Sequence, residues 1–390
     1  MGNLKGIVGN VESKFKELFN ENPLVIRSPG RINLIGEHTD YNNGFVLPAA
    51  IDKHILLAVA PSKGERCSLY ALDLMERFDF SKDNLCKSKL GWPNYLMGVV
   101  DQLNKAGFKP DNFNCVFGGD IPIGAGLSSS AAIEAGLAFA LNHIFDLNIS
   151  KIDLIKIAQK AENEFVGVRC GIMDQFVNIF GLENTVLKLD CRSLDYNYYP
   201  MDLVDYKILL CDTQVKHSLA SSEYNKRRHE CEEGVHILQS FNPDVKSLRD
   251  VTGEHLENHR SELGEVLYKR CSYVIQENLR VEKACGDLQK GDFKSFGDRL
   301  FQSHYGLRDE FEVSCRELDV LVEVAEKQEG ILGARMMGGG FGGCTINLIK
   351  TDAIEEFKEK CNKSFKGKFN SSPLFYITSL EEGTNIINHL

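Results

Sequence analysis

Residues 122–131 read PIGAGLSSSA and lead into a stretch, 130–145, that is rich in alanine and has apolar residues at helical spacing. Glycines let backbone N–H groups approach an anion closely, and the first turn of a helix presents unpaired donors with a partial positive charge. The serine hydroxyls could cap the helix, contact phosphate oxygens or bind a metal that bridges those oxygens. The stretch therefore predicts a polyphosphate-binding loop, with a capped buried helix after a turn as the alternative. The loop residues are Gly124, Ala125, Gly126, Leu127, Ser128, Ser129 and Ser130.

This serine loop differs from two common phosphate-binding motifs. The pattern G-x-x-x-x-G-K-[ST] occurs nowhere in the chain. The dinucleotide fingerprint G-x-G-x-x-G also fails, because Ser129 occupies the position of its third glycine. The loop belongs to neither class.

A second polar stretch, GRINLIGEHTDYNNG at 30–44, follows the apolar run 24–26, which we predict to be a strand that ends at 28–30. Sugar hydroxyls both donate and accept hydrogen bonds, so carboxylates, an imidazole and a guanidinium on one loop suit a sugar. Taken singly, the histidine could be satisfied within a turn, and the aspartate could form an Asx-turn with Asn42. Together with the serine loop, the cluster is the better candidate for a site. Its ionisable residues are Arg31, Glu37, His38 and Asp40.

The helix predicted for 151–166 carries a carboxylate among its apolar residues. Glu162 comes seven residues after Ile155, so the two lie within about 20° of each other around the helix axis. A lone charge on this inward face is costly unless a cation or a donor meets it. A Mg²⁺ ion would serve, and a buried ion pair or a capped backbone group is the alternative.

Another carboxylate, Asp174, lies past the helix break at Gly167, in the stretch CGIMDQF at 170–176. Small and apolar neighbours of this kind can hold a base rigidly. A surface carboxylate or a helix cap is the alternative.

Length and periodicity predict two domains of mixed α and β structure. The 390 residues exceed the roughly 250 to 300 at which a single core stops growing. We place the boundary so that 1–182 form an N-terminal lobe and 183–390 a C-terminal lobe. A second glycine loop, 337–343, could close a cleft over the first lobe. Strands are expected at 45–47, 54–60, 112–117, 186–189, 207–211, 344–349 and 374–378, with helices over 223–327.

Composition narrows the partners and the location. The net charge of −10 argues against a nucleic-acid partner, since a phosphate backbone is bound mainly by clustered Lys and Arg. The twelve cysteines include no C-x-x-C pair, which favours reduced thiols over disulfides. The sequence shows neither a secretory signal nor an apolar stretch near the roughly 20 residues of a membrane span. We therefore expect a cytoplasmic protein without membrane contact.

The polar stretch, the serine loop and the second glycine loop together resemble the GHMP small-molecule kinases. The stretch at 30–44 is closely similar to the signature of the galactokinase branch, and the resemblance extends to GIMDQF at 171–176 and SLASSEY at 218–224. It implies an α+β, two-lobed fold: an N-terminal lobe with a mixed sheet and a ribosomal-protein-like left-handed crossover, and a C-terminal α/β lobe with an antiparallel sheet. The active site would lie between the lobes.

Carried over by position, the resemblance implies a role for each candidate residue. Asp174 resembles the catalytic base, and Arg31 resembles the residue that stabilises the transition state. The serine loop matches the nucleotide loop, and Ser130 and Glu162 match two magnesium contacts. The positions implied to contact the sugar are Glu37, His38, Thr39, Asp40, Gly171 and Tyr224.

The resemblance also implies a reaction, the transfer of the γ-phosphoryl group of Mg-ATP to the anomeric hydroxyl of galactose, which opens galactose catabolism by the Leloir pathway. The implied partners are galactose and ATP, and we expect a monomer. One departure is Met337, where many relatives have threonine. Two alternatives stay open: a kinase for another sugar, such as N-acetylgalactosamine or arabinose, and a regulator that binds sugar and ATP without catalysis.

Overall fold

The structure, a computed structural model, describes residues 2–122, 124–215 and 220–387. The stretch SLASSEY therefore begins outside the described residues, and its later part opens a helix. The helices are α1 (Gly2–Phe19), α2 (Pro93–Lys105), α3 (Ser129–Ile144), α4 (Lys151–Lys160), α5 (Met173–Phe180), α6 (Ala220–Phe241), α7 (Gly253–Asn258), α8 (Arg260–Gln289), α9 (Phe293–Asp309), α10 (Arg316–Glu326) and α11 (Ile354–Phe369). The strands are β1 (Leu24–Asn33), β2 (Phe45–Val46), β3 (Pro48–Pro61), β4 (Cys67–Ala71), β5 (Glu76–Phe80), β6 (Phe113–Gly119), β7 (Thr185–Asp190), β8 (Tyr196–Pro200), β9 (Tyr206–Asp212), β10 (Ile331–Met336), β11 (Cys344–Lys350), β12 (Leu374–Thr378) and β13 (Asn385–Ile386).

Three sheets organise the described part of the chain. A six-stranded sheet has the order β13-β1-β3-β6-β4-β5, in which β4 runs parallel to β6 and the other pairs are antiparallel. A four-stranded antiparallel sheet has the order β10-β11-β9-β12. The prediction of a mixed sheet in the first lobe and an antiparallel sheet in the second is thereby confirmed.

The third sheet crosses the predicted lobe boundary. It has the order β2-β7-β8, so β7, which begins at Thr185, pairs with a strand from the first lobe. Strand β13 likewise returns from the end of the described chain to pair with β1. The division at 182/183 stays a prediction.

The first strand does not end at 28–30, as the sequence led us to expect. Strand β1 continues through Pro29 and Gly30 to Asn33, and its register against β3 shifts between Pro29 and Arg31. A bulge of this kind lets a strand accommodate a proline and redirects the side chains that follow it. Arg31 is the first residue after the shift.

The helix predicted for 151–166 changes type partway. Helix α4 ends at Lys160, and Ala161–Val166 form a π-helical turn that ends at Gly167, where φ is 103°. The residue types of this segment suit either winding, so periodicity alone predicted one continuous α-helix. A π-helical turn places Glu162 in a segment of the kind that is frequent at functional sites.

Helix α3 approaches the six-stranded sheet closely. A Cβ added to Gly136 would lie 2.7 Å from Leu57 Cδ1 and 2.9 Å from Ser28 Cβ. The Ser28 hydroxyl donates to the Ala132 carbonyl oxygen at 2.7 Å and lies 3.1 Å from Thr384 Oγ1. The serine-loop helix, the first strand and the last described segment therefore share one buried contact.

None of the described helices is long and apolar enough to cross a membrane. All twelve cysteines lie in the described part of the chain and carry free thiols, as the sequence predicted.

Replacing Gly136 by alanine should lower the free energy of unfolding by about 1–3 kcal/mol, because a methyl group is forced into a filled contact. Chemical denaturation measures this change. The matched control is Gly286→Ala on α8, where an added Cβ meets no atom within 4 Å. That variant should gain up to about 1 kcal/mol from helix propensity. Equal effects of the two substitutions would contradict the close packing of α3.

Candidate active site

One cavity of about 320 Å³ lies between the polar stretch 30–44, the serine loop, the start of α5 and the second glycine loop. It brings together most of the residues that the sequence nominated. Thr39, Ser129 and the loop residues 124–127 do not line it. The lining residues are Arg31, Glu37, His38, Asp40, Ser128, Ser130, Glu162, Val168, Cys170, Gly171, Met173, Asp174, Tyr224, Gly338, Gly339 and Gly340.

A bidentate ion pair joins Arg31 to Asp174. Arg31 Nε and Nη2 each lie 2.6 Å from an oxygen of the Asp174 carboxylate. Burial opposes the charge on Arg31, but the neighbouring Asp174 carboxylate raises its pKa overall. Arg31 also donates from Nη1 to the Gly126 carbonyl oxygen at 2.5 Å, and its backbone N–H donates to Leu127 at 3.1 Å. The arginine therefore fixes the distance between the serine loop and the carboxylate.

The serine loop enters α3 through a left-handed residue. Ser128 has φ of 56°, a conformation that non-glycine residues rarely adopt. Its hydroxyl donates to Asp174 Oδ2 and does not cap α3. The capped helix that was the alternative is thus not formed through Ser128, whose hydroxyl binds the Asp174 carboxylate in the cavity wall.

Glu37 is held by the second lobe. Its Oε1 accepts hydrogen bonds from Arg335 Nη2 at 3.0 Å and from the Gly338 backbone N–H at 2.7 Å. Its carbonyl oxygen accepts from the Tyr273 hydroxyl at 3.0 Å. Arg335 is completely buried and also donates to the Leu34 carbonyl oxygen at 2.6 Å. These hydrogen bonds involve Oε1 and the carbonyl oxygen of Glu37, and none of them involves Oε2.

His38 is a buried, neutral histidine. Burial lowers its pKa to about 3, so the imidazole carries no charge near neutral pH. Its Nδ1 lies 2.7 Å from the Tyr41 hydroxyl, and its ring centroid lies 5.3 Å from that of Tyr224. The ring is therefore fixed in the cavity wall by aromatic neighbours.

Thr39 supports the loop from behind. Its hydroxyl lies 2.8 Å from the Gly36 carbonyl oxygen and 2.6 Å from the Phe45 carbonyl oxygen. The side chain is fully buried, and the geometry gives its hydroxyl to the loop itself. A direct contact of Thr39 with a sugar stays a prediction.

Asp40 and Gly171 face each other closely. A Cβ added to Gly171 would collide with the Asp40 carboxylate, which explains why a glycine occupies this position. Burial and the charge of Asp174 raise the pKa of Asp40 to about 7. Asp40 therefore changes its charge state within the physiological pH range.

Glu162 turns into the cavity from the π-helical turn. Its Oε2 accepts a hydrogen bond from Gln175 Nε2 at 2.9 Å, and Cys170 Sγ lies 3.4 Å away. Burial and the Asp174 charge raise its pKa, while a hydrogen bond from Ser130 lowers it. None of the described ion pairs includes Glu162, so the buried ion pair considered above is not formed. A buried carboxylate beside a serine hydroxyl is suited to a hard cation.

Sequence reasoning missed Arg335, Tyr273 and Cys170. The signal for Arg335 is a single charge within the apolar strand ILGARM of β10, directly before the second glycine loop. Tyr273 lies inside a long amphipathic helix and gave no such signal. The glycine loop lines the cavity as expected, and the Met337 side chain is buried in the core beside it.

Comparisons with known proteins agree with this architecture. The family model "GHMP kinases N terminal domain" matches residues 94–182, and "GHMP kinases C terminal" matches 284–367. The Methanococcus jannaschii mevalonate kinase, at 16% identity and a TM-score of 0.65, shares the fold. The fold and the serine loop thus define a GHMP small-molecule kinase.

Closer relatives narrow the class. The model "Galactokinase galactose-binding signature" matches residues 13–61. The galactokinases of Thermotoga maritima and Clostridium acetobutylicum are 44% and 40% identical, over 93% and 98% of this chain and 99% and 100% of theirs. The Lactococcus lactis galactokinase, solved in complex with galactose, has a TM-score of 0.92 and 35% identity over 96% of this chain and 98% of its own. The chain belongs to the galactokinase family.

Replacing Arg335 by methionine should cost about 3–5 kcal/mol of stability, because it leaves the buried Glu37 carboxylate without its cation. Denaturant titration measures the loss. Arg316→Met serves as the control, since Arg316 is exposed and pairs with Glu323 at the surface. A loss in the Arg335 variant no larger than in the control would show that the pair is dispensable.

Proposed function

We propose that this chain transfers the γ-phosphoryl group of ATP to the anomeric hydroxyl of galactose, giving galactose 1-phosphate and ADP. The observation that carries the proposal is a single cavity in which Asp174 lies between the sugar-signature side chains and the serine loop. Membership of the galactokinase family supports the same reaction. The serine loop would receive the phosphates and the stretch 30–44 the sugar.

Asp174 and Arg31 are the catalytic pair in this proposal. An aspartate carboxylate is a weak base, so Asp174 is expected to orient the sugar hydroxyl and to accept its proton late in the transfer. Arg31 lies between that carboxylate and the serine loop, where its charge can offset negative charge on the moving phosphoryl group. Alignment and charge stabilisation account for most of the rate gain in phosphoryl transfer.

Magnesium fits the space beside Ser130 and Glu162. No three His, Cys, Asp or Glu side chains of the described residues are grouped so as to hold a metal by themselves. Mg²⁺ usually binds through one or two protein ligands together with phosphate oxygens and water, which is what this pair provides. When bound, the ion neutralises charge on the phosphates.

The sugar hydroxyls would be bound by side chains of several chemical types. Glu37 and Asp40 supply carboxylate acceptors, and neutral His38 can donate or accept. Tyr224 adds a hydroxyl and an aromatic face. Gly171 contributes indirectly, because its lack of a side chain leaves room for the Asp40 carboxylate at the cavity wall.

Replacing Asp174 by asparagine should preserve the fold and the binding of galactose and ATP, but lower kcat by about 10²–10⁴, because the proton acceptor is lost. A coupled assay of ADP release measures kcat, and calorimetry measures binding. Asp111→Asn, a change at an exposed position before β6, is the control and should keep full turnover. Full turnover in the Asp174 variant would refute the assignment.

Galactose affinity should fall as the pH drops through 7. Since the raised pKa of Asp40 is about 7, the carboxylate is largely ionised at pH 8 and largely protonated at pH 6. If the ionised form accepts the sugar hydroxyls, the dissociation constant should rise about tenfold between these values. Calorimetric titrations across this range measure it. Asp40→Asn should bind weakly and without this pH dependence, and an unchanged slope would assign the effect to another group.

ADP release across galactose, N-acetylgalactosamine, glucose and arabinose tests the substrate. Preference for galactose supports the proposal, and preference for another sugar replaces it with the first alternative. The regulator alternative has less support, because Ser128, Ser130, Arg31 and Asp174 all line one cavity. We further propose a cytoplasmic monomer, in keeping with the twelve free thiols. Light scattering in solution tests the monomer.

A further inference from the structure

Helix α3 buries a carboxylate that the mechanism has not used. Glu134 is completely buried, and neither of its oxygens makes a well-formed hydrogen bond with the described residues, although the side chains of Glu162 and Gln175 lie beside it. Its neighbours on the helix, such as Ala131, Ala135 and Ala138, are small and apolar. A buried carboxylate without a donor is costly, so its presence in this helix calls for a ligand or a partner.

Glu134 lies on the side of α3 that faces the proposed metal position. It comes four residues after Ser130, so the two side chains project from the same face of the helix, one turn apart. Glu162 and Gln175 lie beside it, and the Asp174 charge also acts on it. Glu134 does not line the cavity, so it stands behind the residues that do.

The atoms around Glu134 are acceptors that lack donors. Gln175 gives its amide N–H to Glu162 at 2.9 Å. Gln175 Oε1, which is buried, and both oxygens of Glu134 are left without partners. Burial and the Glu162 charge raise the pKa of Glu134 well above its usual value, and even a protonated Glu134 supplies one donor for these three atoms. Water molecules would supply the remaining donors.

Positive charge is scarce in this region. Burial and the charges of neighbouring carboxylates raise the pKa values of Glu134 and Glu162, and of the described ion pairs at Glu134, Glu162 and Asp174, only that between Arg31 and Asp174 supplies a cation. A hydrated divalent cation supplies both missing features, because it brings positive charge and water molecules that donate hydrogen bonds. Mg²⁺ in particular gives up its waters reluctantly.

We propose that Glu134 is the outer carboxylate of the magnesium site: with Gln175 it accepts hydrogen bonds from water on the ion that Ser130, Glu162 and the nucleotide phosphates hold. The inference rests on the proposed function, because it takes the site to bind a metal nucleotide. Glu134 acts through these waters and is a positioning residue. Partners of this kind commonly contribute 10- to 100-fold, as an order of magnitude, to metal affinity.

The test measures metal binding without turnover. Mn²⁺ replaces Mg²⁺ as a spectroscopic probe, and electron paramagnetic resonance gives the free Mn²⁺ concentration during titration of the protein with ADP present and no sugar. Glu134→Gln is expected to weaken Mn²⁺ binding about 10- to 100-fold. Glu164→Gln is the matched control, since Glu164 is an exposed member of the same π-helical turn, bonded to Gln102 and Lys105, and it should stay within about twofold of the wild type.

Thermal unfolding separates this role from a structural one. Without metal, Glu134→Gln removes a buried carboxylate that has no partner, so the melting temperature is not expected to fall. The rise in melting temperature that Mn²⁺ and ADP produce should shrink, because binding to the folded state is weaker. Glu134→Met, which removes both oxygens and keeps the volume, should behave in the same way.

Three results would overturn the inference. One is Mn²⁺ affinity within about twofold of the wild type in folded Glu134→Gln, given the larger effect expected of such partners. Another is a lower metal-free melting temperature with an unchanged shift on adding Mn²⁺ and ADP. The third is failure of both Glu134 variants to fold without metal, which would make the carboxylate structural. If Glu162→Gln also bound Mn²⁺ normally, the metal site of the proposed function would itself be wrong.

Discussion

The architecture depends on one buried cation, Arg335, at the place where the second glycine loop meets the polar stretch 30–44. Its guanidinium donates to the carbonyl oxygens of Asn33 and Leu34 and to the Glu37 carboxylate, at 2.5, 2.6 and 3.0 Å. A fully buried charge is tolerated only when its partners are in place, so these bonds allow one position of the loop relative to β10. Helix α8 adds to this constraint, because Glu277 accepts from the Gly36 backbone N–H at 2.9 Å and Asn278 from that of Phe45 at 2.8 Å.

In the proposed function, the cavity beside this fixed loop must bind both a sugar and the phosphates of a nucleotide. In the proposed function, the sugar needs acceptors in definite positions, and the contacts of Arg335 and Gly338 hold Glu37 in place for that role. The phosphates would need donors and positive charge, which the same proposal assigns to the serine loop and Arg31. Asp174 belongs to both sides, because it is bound to Arg31 at 2.6 Å and borders Asp40 electrostatically. A change in either the sugar-binding or the phosphate-binding part of the cavity is therefore expected to affect the Asp174 carboxylate.

The sequence predicted several elements closely and missed others, among them two long helices, α2 and α11. The helix at 130–145 and the strand at 207–211 match α3 and β9 within two residues at each end. Strands β4, β5, β8, β10 and β13 were also not predicted. They have two to six residues, and β5 and β8 are largely exposed. Their pairing partners, more than their residue types, make them strands.

The site was only partly predictable for a related reason. The nominated residues come from separate segments of the chain between positions 31 and 224, and nothing in the local pattern indicates that these segments meet. Family resemblance supplied the roles, while the inward face of the predicted helix pointed to Glu162 independently. The contacts of Tyr273 and Glu277 with the stretch 30–44 could not be predicted, because both residues look like ordinary members of an amphipathic helix. Glu134 appeared in the pattern only as an interruption in a run of alanines.

The return of β13 to the first sheet has a consequence for how the chain is made. Ile386 pairs with Ile26, and Thr384 joins the Ser28 contact, so the edge of the earliest sheet is completed by some of the last described residues. At a synthesis rate of roughly 5–20 residues per second, β13 is made tens of seconds after β1. Until then one edge of β1 is unpaired, and strands of other chains could pair with it. Helix α1 packs against β3 and β6 of this sheet. Because it is made first, it can cover part of the sheet while translation continues.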